Sequence, residues 1–347
     1  MRVSRREVGR LILGAGALAP YGFVRRATAA PKPGDQLVVG VWGGVQERLV
    51  RQYCAAPLEQ MYRCKVNLVL GGTPERRARA YAERGRPSFD VIYLNVFESR
   101  QAMKDGVTQP PTAAVPQFAH LEPIARVGGY GVALNPITIV YDRRKAKAPV
   151  RSWRDLWNPE WRRRIAWPAY PSAEGAAGLL MSAKVWGGDE RHIDVAFDKI
   201  KALKPFAAIA SSQDELFQMF DTGVCDIAIA FGSLARRYAE TRNPNLVIVN
   251  PVEGQAAALN VACITVGAQN QTLAEAWINL HLGAPCLLAY ARQTYYSPTV
   301  DDVALPPDLA AKLIGPKQAS SLVSFDWDVV NQNQRAWASR FNREIAG

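Results

Sequence analysis

Histidine is scarce in this chain: there are three in 347 residues, at positions 120, 192 and 281. Their separation leaves no His-x-x-x-His pair for zinc, and the chain has neither a Gly-x-Ser-x-Gly elbow nor a phosphate-cradling loop. The common motif-borne hydrolase and nucleotide-binding sites are missing, so an enzyme is not expected, nor any cofactor or metal. Long apolar runs are missing too. The longest, "LILGAGALAPYGFV", falls short of the roughly 20 residues that cross a bilayer, and Pro20 and glycines interrupt it. Internal repeats and low-complexity segments are absent. Cysteine is limited to positions 54, 64, 225, 263 and 286, and the odd count forbids pairing all of them within one chain. Cys54 and Cys64 are the closest in sequence and make the best candidate pair. Cys225 and Cys263 sit in apolar, strand-like runs that suit small buried residues.

What is present begins with a basic start, "MRVSRREVGR", then the apolar run, then the small-x-small site "ATA" at 27–29. That layout predicts a cleaved signal peptide over residues 1–29, and Ser4-Arg5-Arg6 gives it a twin-arginine character. The expected location is the periplasm, with no membrane insertion of the mature chain. The leader holds six of the arginines and one acid, so its removal lowers the formal charge from +11 to +6. Much of the apparent basic excess is therefore leader. The densest remaining run, Arg162-Arg163-Arg164, reads as an exposed turn or strand edge, and no nucleic-acid partner is expected. With 48% hydrophobic and 21% charged residues, the rest is long enough for two domains with separate cores.

Strand and helix patterns alternate after the leader. "VVGV" runs into Trp42-Gly43-Gly44 before a helix begins; a turn needs glycine but not a neighbouring tryptophan, so this corner reads as one lip of a ligand cleft. Residues 65–70 form a second strand, stopped by Gly71-Gly72, with Thr73 as an N-cap and Pro74 as a first helical position. Residues 89–94 form a third, ending at Asn95-Val96-Phe97. Such spacing implies a parallel sheet with crossover helices. Ligands of such sheets sit beyond the carboxyl ends of the strands, where Trp42, Gly71 and Asn95 fall. Around 128–131 the pattern changes and "YGVALNPITIVYD" alternates like one long strand, marking a change of lobe. Ser152 and Asp155 form a capping box. Ser172 or Ala173 opens a small-residue helix over 174–184. Further helices at 213–220 and 233–240 flank the strand "DIAIAF", and "ALNVACITV" returns the chain to the first lobe.

The segments "VGVWGG", "SFDVIYLNVFESRQAMKDG", "VRSWRDLWNPEWRRRIAWP", "DTGVCDIAIAFGSLARR", "NPVEGQAAALNVACITV" and "INLHLGAPCLLAYARQTYYSPT" follow one another as in the polyamine-type periplasmic solute-binding proteins of ABC importers, which the chain resembles over most of 37–300. The resemblance implies the α/β fold of a type II periplasmic binding protein: two lobes, each a mostly parallel sheet flanked by helices, with the ligand cleft between them. Lobe 1 is expected to comprise 30–128 and 256–300, and lobe 2 to comprise 129–255 and 301–347. The protein would act as a monomer, binding a small-molecule solute and passing it to a membrane permease. The implied aromatic clamp falls on Trp42 and Phe97, with Phe231 where tryptophan is usual.

The departures bear on the solute. Where polyamine binders carry an aromatic and an aspartate on the return strand, this chain has Ala258 and Asn260. Near the start of the second-lobe helix only Glu174 is acidic. A desolvated ammonium needs a paired carboxylate, so a multiply charged polyamine is not expected. An amino acid derivative or an organic acid fits better, because Gly43, Gly44 and Ser172 lie at helix N-termini, where free N–H groups favour an anion. Relatives of the same fold bind ferric iron through paired tyrosines, and Tyr295-Tyr296 is the one tempting pair. Adjacent residues in an extended segment face opposite ways, so one tyrosine, Tyr295, is expected in the cleft and the other in the core.

Overall fold

The computed structural model describes residues 30–315 and 321–347. The expected signal peptide, 1–29, lies outside the described residues. Two five-stranded sheets organise the rest. The first is built from β1 (Gln36–Val41), β2 (Lys65–Leu70), β3 (Val91–Asn95), β4 (Tyr130–Leu134) and β10 (Leu259–Ile264), in the order β2-β1-β3-β10-β4. The alternation of "QLVVGV" is what makes β1 a strand: Leu37, Val39 and Val41 are fully buried, as the two-residue period of a pleated strand requires. Helices α1 (Val45–Val50), α2 (Ala56–Tyr62), α3 (Thr73–Ala82) and α4 (Val96–Lys104) supply the crossovers, and α9 (Gln271–Leu282) and α10 (Ala284–Thr294) pack on the same lobe. Gly72 caps α3, one residue earlier than expected. Thr73 is thereby freed to accept the indole N–H of Trp42 at 3.1 Å.

The second sheet holds β5 (Ile137–Asp142), β6 (Ile165–Pro168), β7 (Ala208–Ala210), β8 (Ile227–Phe231) and β9 (Leu246–Ile248), in the order β7-β6-β8-β5-β9. Helices α5 (Ala173–Val185), α6 (Asp194–Ala202), α7 (Gln213–Asp221) and α8 (Gly232–Thr241) surround it. Its core is tryptophan-rich, with Trp153, Trp161 and Trp167 all within 1% of full burial. The sheets are mixed rather than mostly parallel. In the first, β10 runs antiparallel to both β3 and β4; in the second, β5 runs antiparallel to both β8 and β9. The return strand and the entry strand set this, since each arrives from the other lobe.

The expected long strand over "YGVALNPITIVYD" is two strands in different sheets. Pro136 has no N–H for a ladder, and the chain crosses between lobes there. Tyr130–Leu134 therefore belongs to the first lobe, six residues past the expected boundary. The segment after residue 300 also stays with the first lobe, since Val303 and Leu322 sit in its core, while Val330, Trp337 and Phe341 sit in the second. Three segments thus connect the lobes, and they bond to one another. Asn135 N–H donates to Ala258 O at 2.9 Å, Ile137 and Ala256 exchange two backbone bonds, and Ala257 N–H donates to Val323 O at 2.8 Å. After α11 (Pro307–Ala310), the long C-terminal helix α12 (Trp327–Phe341) begins at this junction and ends in the second core.

The cysteines are arranged differently from expectation. All five are free thiols, and Cys54 lies beside Cys286, with their Sγ atoms 3.8 Å apart in the first core. Cys64 turns instead toward the Leu58 carbonyl. Cys54 points inward from the π-helical turn Arg51–Ala55, whereas Cys64 follows the left-handed Arg63 that ends α2. Closeness in sequence does not bring the two together.

Candidate functional site

The carboxyl ends of β1, β3 and β8 converge with the start of β10 on a cavity of about 190 Å³ between the lobes. Five of the expected residues line it: Trp42, Asn95, Phe97, Phe231 and Asn260. Sequence reasoning missed Gln46, Asn135, Leu234, Tyr296, Phe325 and Trp327, which line it too. None of the described lining residues is charged. A cavity of about 150 Å³ with apolar walls takes a benzene-sized guest, so this one fits a single ring with small substituents.

Trp42 is held from behind. The Arg76 guanidinium lies over its ring at 4.5 Å, and Tyr93 meets it edge-on at 6.0 Å. Arg76 is itself buried, donates to the carbonyls of Tyr93 and Gly71, and has its pKa lowered by burial to about 10. Gly44 adopts φ +72°, the left-handed region that glycine tolerates, as α1 begins. That turn lets a helix start three residues after a bulky side chain has been aimed into the cleft.

Asn95 and Asn260 face each other in register across β3 and β10, next to a bulge between Asn260 and Val261. The Asn95 side chain is committed to a capping box with Glu98, donating to its carboxylate at 3.1 Å. Asn260 is freer; the pKa of the nearby Tyr296 phenol is raised chiefly by burial and eased down by the Asn260 and Asn135 amides. On the opposite wall Phe97 meets Trp327 at 5.9 Å and Phe325 meets Trp327 at 5.5 Å. The small-residue helix α5 contributes Ala173, Ala176 and Ala177, and Ala258 opens the return strand beside them. Small side chains here leave the space that the aromatic rings enclose.

The other five expected residues stand outside this lining. Gly43 borders an adjoining cavity of about 180 Å³, and Gly44 lines neither. Ser172 caps α5 by accepting the Gly175 N–H at 2.9 Å. Glu174 is buried in the first turn of α5; burial raises its pKa, opposed by hydrogen bonds from its own backbone, Ser172 and Gln213. Its carboxylate serves the helix start rather than the cavity wall. Tyr295 is the left-handed C-cap of α10 and is swung outward, its hydroxyl bonded to Glu240, so Tyr296 is the tyrosine in the cavity. The left-handed turn removes the alternation that an extended segment would have imposed. With the Tyr295 hydroxyl bonded to Glu240 and Tyr296 in the cavity, the two phenols are directed to different places.

Two larger cavities, of about 480 and 670 Å³, flank the junction. The first is lined by Arg236, Glu253 and Lys312 and by Ile314 and Ser321, which lie on either side of the undescribed residues 316–320. Neither gathers strand ends from both sheets. The 190 Å³ cavity does, which is where ligands of open α/β sheets bind.

Two mixed sheets, three mutually bonded connections and an aromatic cavity between the lobes define a two-lobed solute-binding protein. Residues 54–314 match the family described as bacterial extracellular solute-binding protein, and the chain belongs to it. It is 26% identical over 209 residues to the thiamine-binding periplasmic protein of Salmonella typhimurium, a match covering 60% of this chain and 61% of that one. The chain thus spans less than two thirds of that relative's length. Among solved structures it is similar to an ABC transporter protein from Clostridium perfringens, with TM-score 0.80, 24% identity, and coverage of 89% of this chain and 99% of that one. A spermidine/putrescine ABC transporter substrate-binding protein from Streptococcus pneumoniae gives TM-score 0.71 at 18% identity, covering 89% and 99%. The resemblance read from the sequence is thereby upheld at the level of fold and family. Among the described residues no helix is long and apolar enough to cross a membrane.

Proposed function

We propose that this chain is the extracytoplasmic solute-binding component of an ABC importer, exported by its leader to the periplasm, where it captures a small solute with one flat ring and delivers it to a membrane permease. The observation that carries the reading is the uncharged cavity with aromatic walls from both lobes. Rings pack on rings and on apolar edges, and the amides of Asn135 and Asn260 with the Tyr296 hydroxyl can orient a polar substituent. The name of the thiamine-binding relative supports a heteroaromatic solute. A delocalised ring cation is compatible with such walls, because aromatic faces attract it without a carboxylate. A polyamine is not: each buried ammonium left unpaired costs several kcal/mol, and no carboxylate lines the cavity among the described residues.

A thermal-shift screen tests this, with singly substituted pyridines, pyrimidines and thiazoliums set against spermidine and putrescine. A ligand at a hundred times its dissociation constant stabilises by about 2.7 kcal/mol, a shift that is easily read. Ring compounds are expected to raise the melting temperature. A response to polyamines alone would refute the reading.

A further inference from the structure

The 190 Å³ cavity adjoins a second of about 180 Å³, and Gln46, Leu234 and Tyr296 line both. Among the described residues lining the two, Arg237 is the single charged group. It is exposed on α8 and reaches across from the second lobe to donate to the Gln293 carbonyl at 3.0 Å on α10 of the first. Its charge is felt at the Tyr296 phenol in the main cavity. The neighbouring acid on α8, Glu240, is taken up by Lys312 at 2.8 Å and by Tyr295, so no carboxylate is bonded to Arg237 among the described residues.

A second feature lies beside it. Ser233, in the first turn of α8, is 4% exposed and lines the adjoining cavity, and its hydroxyl has no partner among the described residues. The start of α8 carries no side-chain cap. Its Gly232 and Ser233 N–H groups are bonded to Pro136 O and Asn135 Oδ1. Ser233, with its unmatched hydroxyl, and Arg237, whose guanidinium can grip two oxygens at once, thus line one small space. Among the described residues no carboxylate lines it.

We infer that the solute carries one anionic group, a carboxylate or phosphate, which docks on Arg237 and Ser233 in the adjoining cavity while its ring occupies the aromatic one. The inference rests on the aromatic cavity being the solute site and adds the chemical class of the second half of the solute. It also gives the interlobe contact of Arg237 a role: the residue that receives the anion already ties α8 to α10 of the first lobe through Gln293 O.

Titration calorimetry on matched probes tests it. Phenylacetate is compared with phenylacetamide, and phenyl phosphate with phenol, on the full mature chain and on Arg237→Gln and Arg237→Lys. At least one anion is expected to bind tenfold or more tightly than its neutral partner, with the preferred pair separating carboxylate from phosphate. Arg237→Gln is expected to abolish the preference, read as the ratio of anion to neutral affinity within the same variant; Arg237→Lys restores part of it. A neutral probe that binds as tightly as its anion, or a preference that survives in Arg237→Gln, would overturn the inference while leaving the ring-binding cavity standing. If no ring compound binds in either form, the cavity reading falls and the inference with it.

Discussion

The Arg76 guanidinium lies against the back face of Trp42, 4.5 Å from the ring centre, while the indole N–H is held by Thr73 at 3.1 Å. A ring fixed on two sides is a preorganised platform, and its remaining face is free for the solute. Trp42→Ala is therefore expected to weaken binding by at least tenfold, about 1.4 kcal/mol. It should also cost some stability, because Arg76 loses its cover. Full burial of a tryptophan would make that cost about 3–5 kcal/mol; for a half-buried one we expect about 1–2 kcal/mol, scaled down from the same series. Fluorescence titration and a denaturant melt separate the two effects. Unaltered affinity with a large loss of stability would make Trp42 a core residue.

Glu174 gives a pH-dependent prediction. Burial is the leading cause of its raised pKa, so the folded state holds this proton more tightly than the unfolded chain does. Between the ordinary glutamate value and the raised one, stability then falls as pH rises. Glu174→Gln, which keeps the size and one acceptor oxygen while removing the charge, is expected to raise the melting temperature at neutral pH. Below the ordinary glutamate range the difference from wild type should vanish. A variant less stable than wild type at neutral pH would mean that the carboxylate is needed in charged form.

The thiols supply a third test. On refolding in a glutathione/glutathione-disulfide buffer, exchange with the oxidised glutathione can form one disulfide and release reduced glutathione. The linked peptides are expected to contain Cys54 and Cys286, whose sulfurs are neighbours. Recovery of a Cys54–Cys64 link by peptide mapping would contradict the arrangement of the first core.

Export bears on the leader alone. Replacement of Arg5 and Arg6 by lysine preserves charge but not the twin-arginine address. Loss of periplasmic protein is expected, and unimpaired export would show that the general secretory route is used.

Much of the architecture was legible because it depends on local patterns. The two-residue period of β1, the Ser152–Asp155 capping box and the Trp-Gly-Gly corner each act within a few residues. The Asn-Pro break at 135–136 was visible as well, yet alternation on both sides of it masked a change of sheet; a proline without an N–H was the signal, and it also marked Asn135 as a junction residue. Tyr296 was displaced from its expected place by the left-handed conformation of Tyr295, an outcome set by the end of α10 rather than by side-chain preference. Phe325 and Trp327 had no local signal. They reach the cavity because the chain returns to the junction some 230 residues after Phe97, and only the assembled fold brings them opposite it.

The central claim is that the solute occupies the aromatic cavity, and filling that cavity tests it most directly. Ala258 lines it and engages its neighbour Asn135 through its backbone carbonyl, so a larger side chain can enter without removing that bond. Calorimetric titration of the best ring compound from the screen would be run on wild type and on Ala258→Trp, with the unliganded melt and circular dichroism as controls for folding. One site per chain in wild type, and a loss of at least a hundredfold in a folded Ala258→Trp, is the expected result. Undiminished affinity in the folded variant would place the solute elsewhere on the protein.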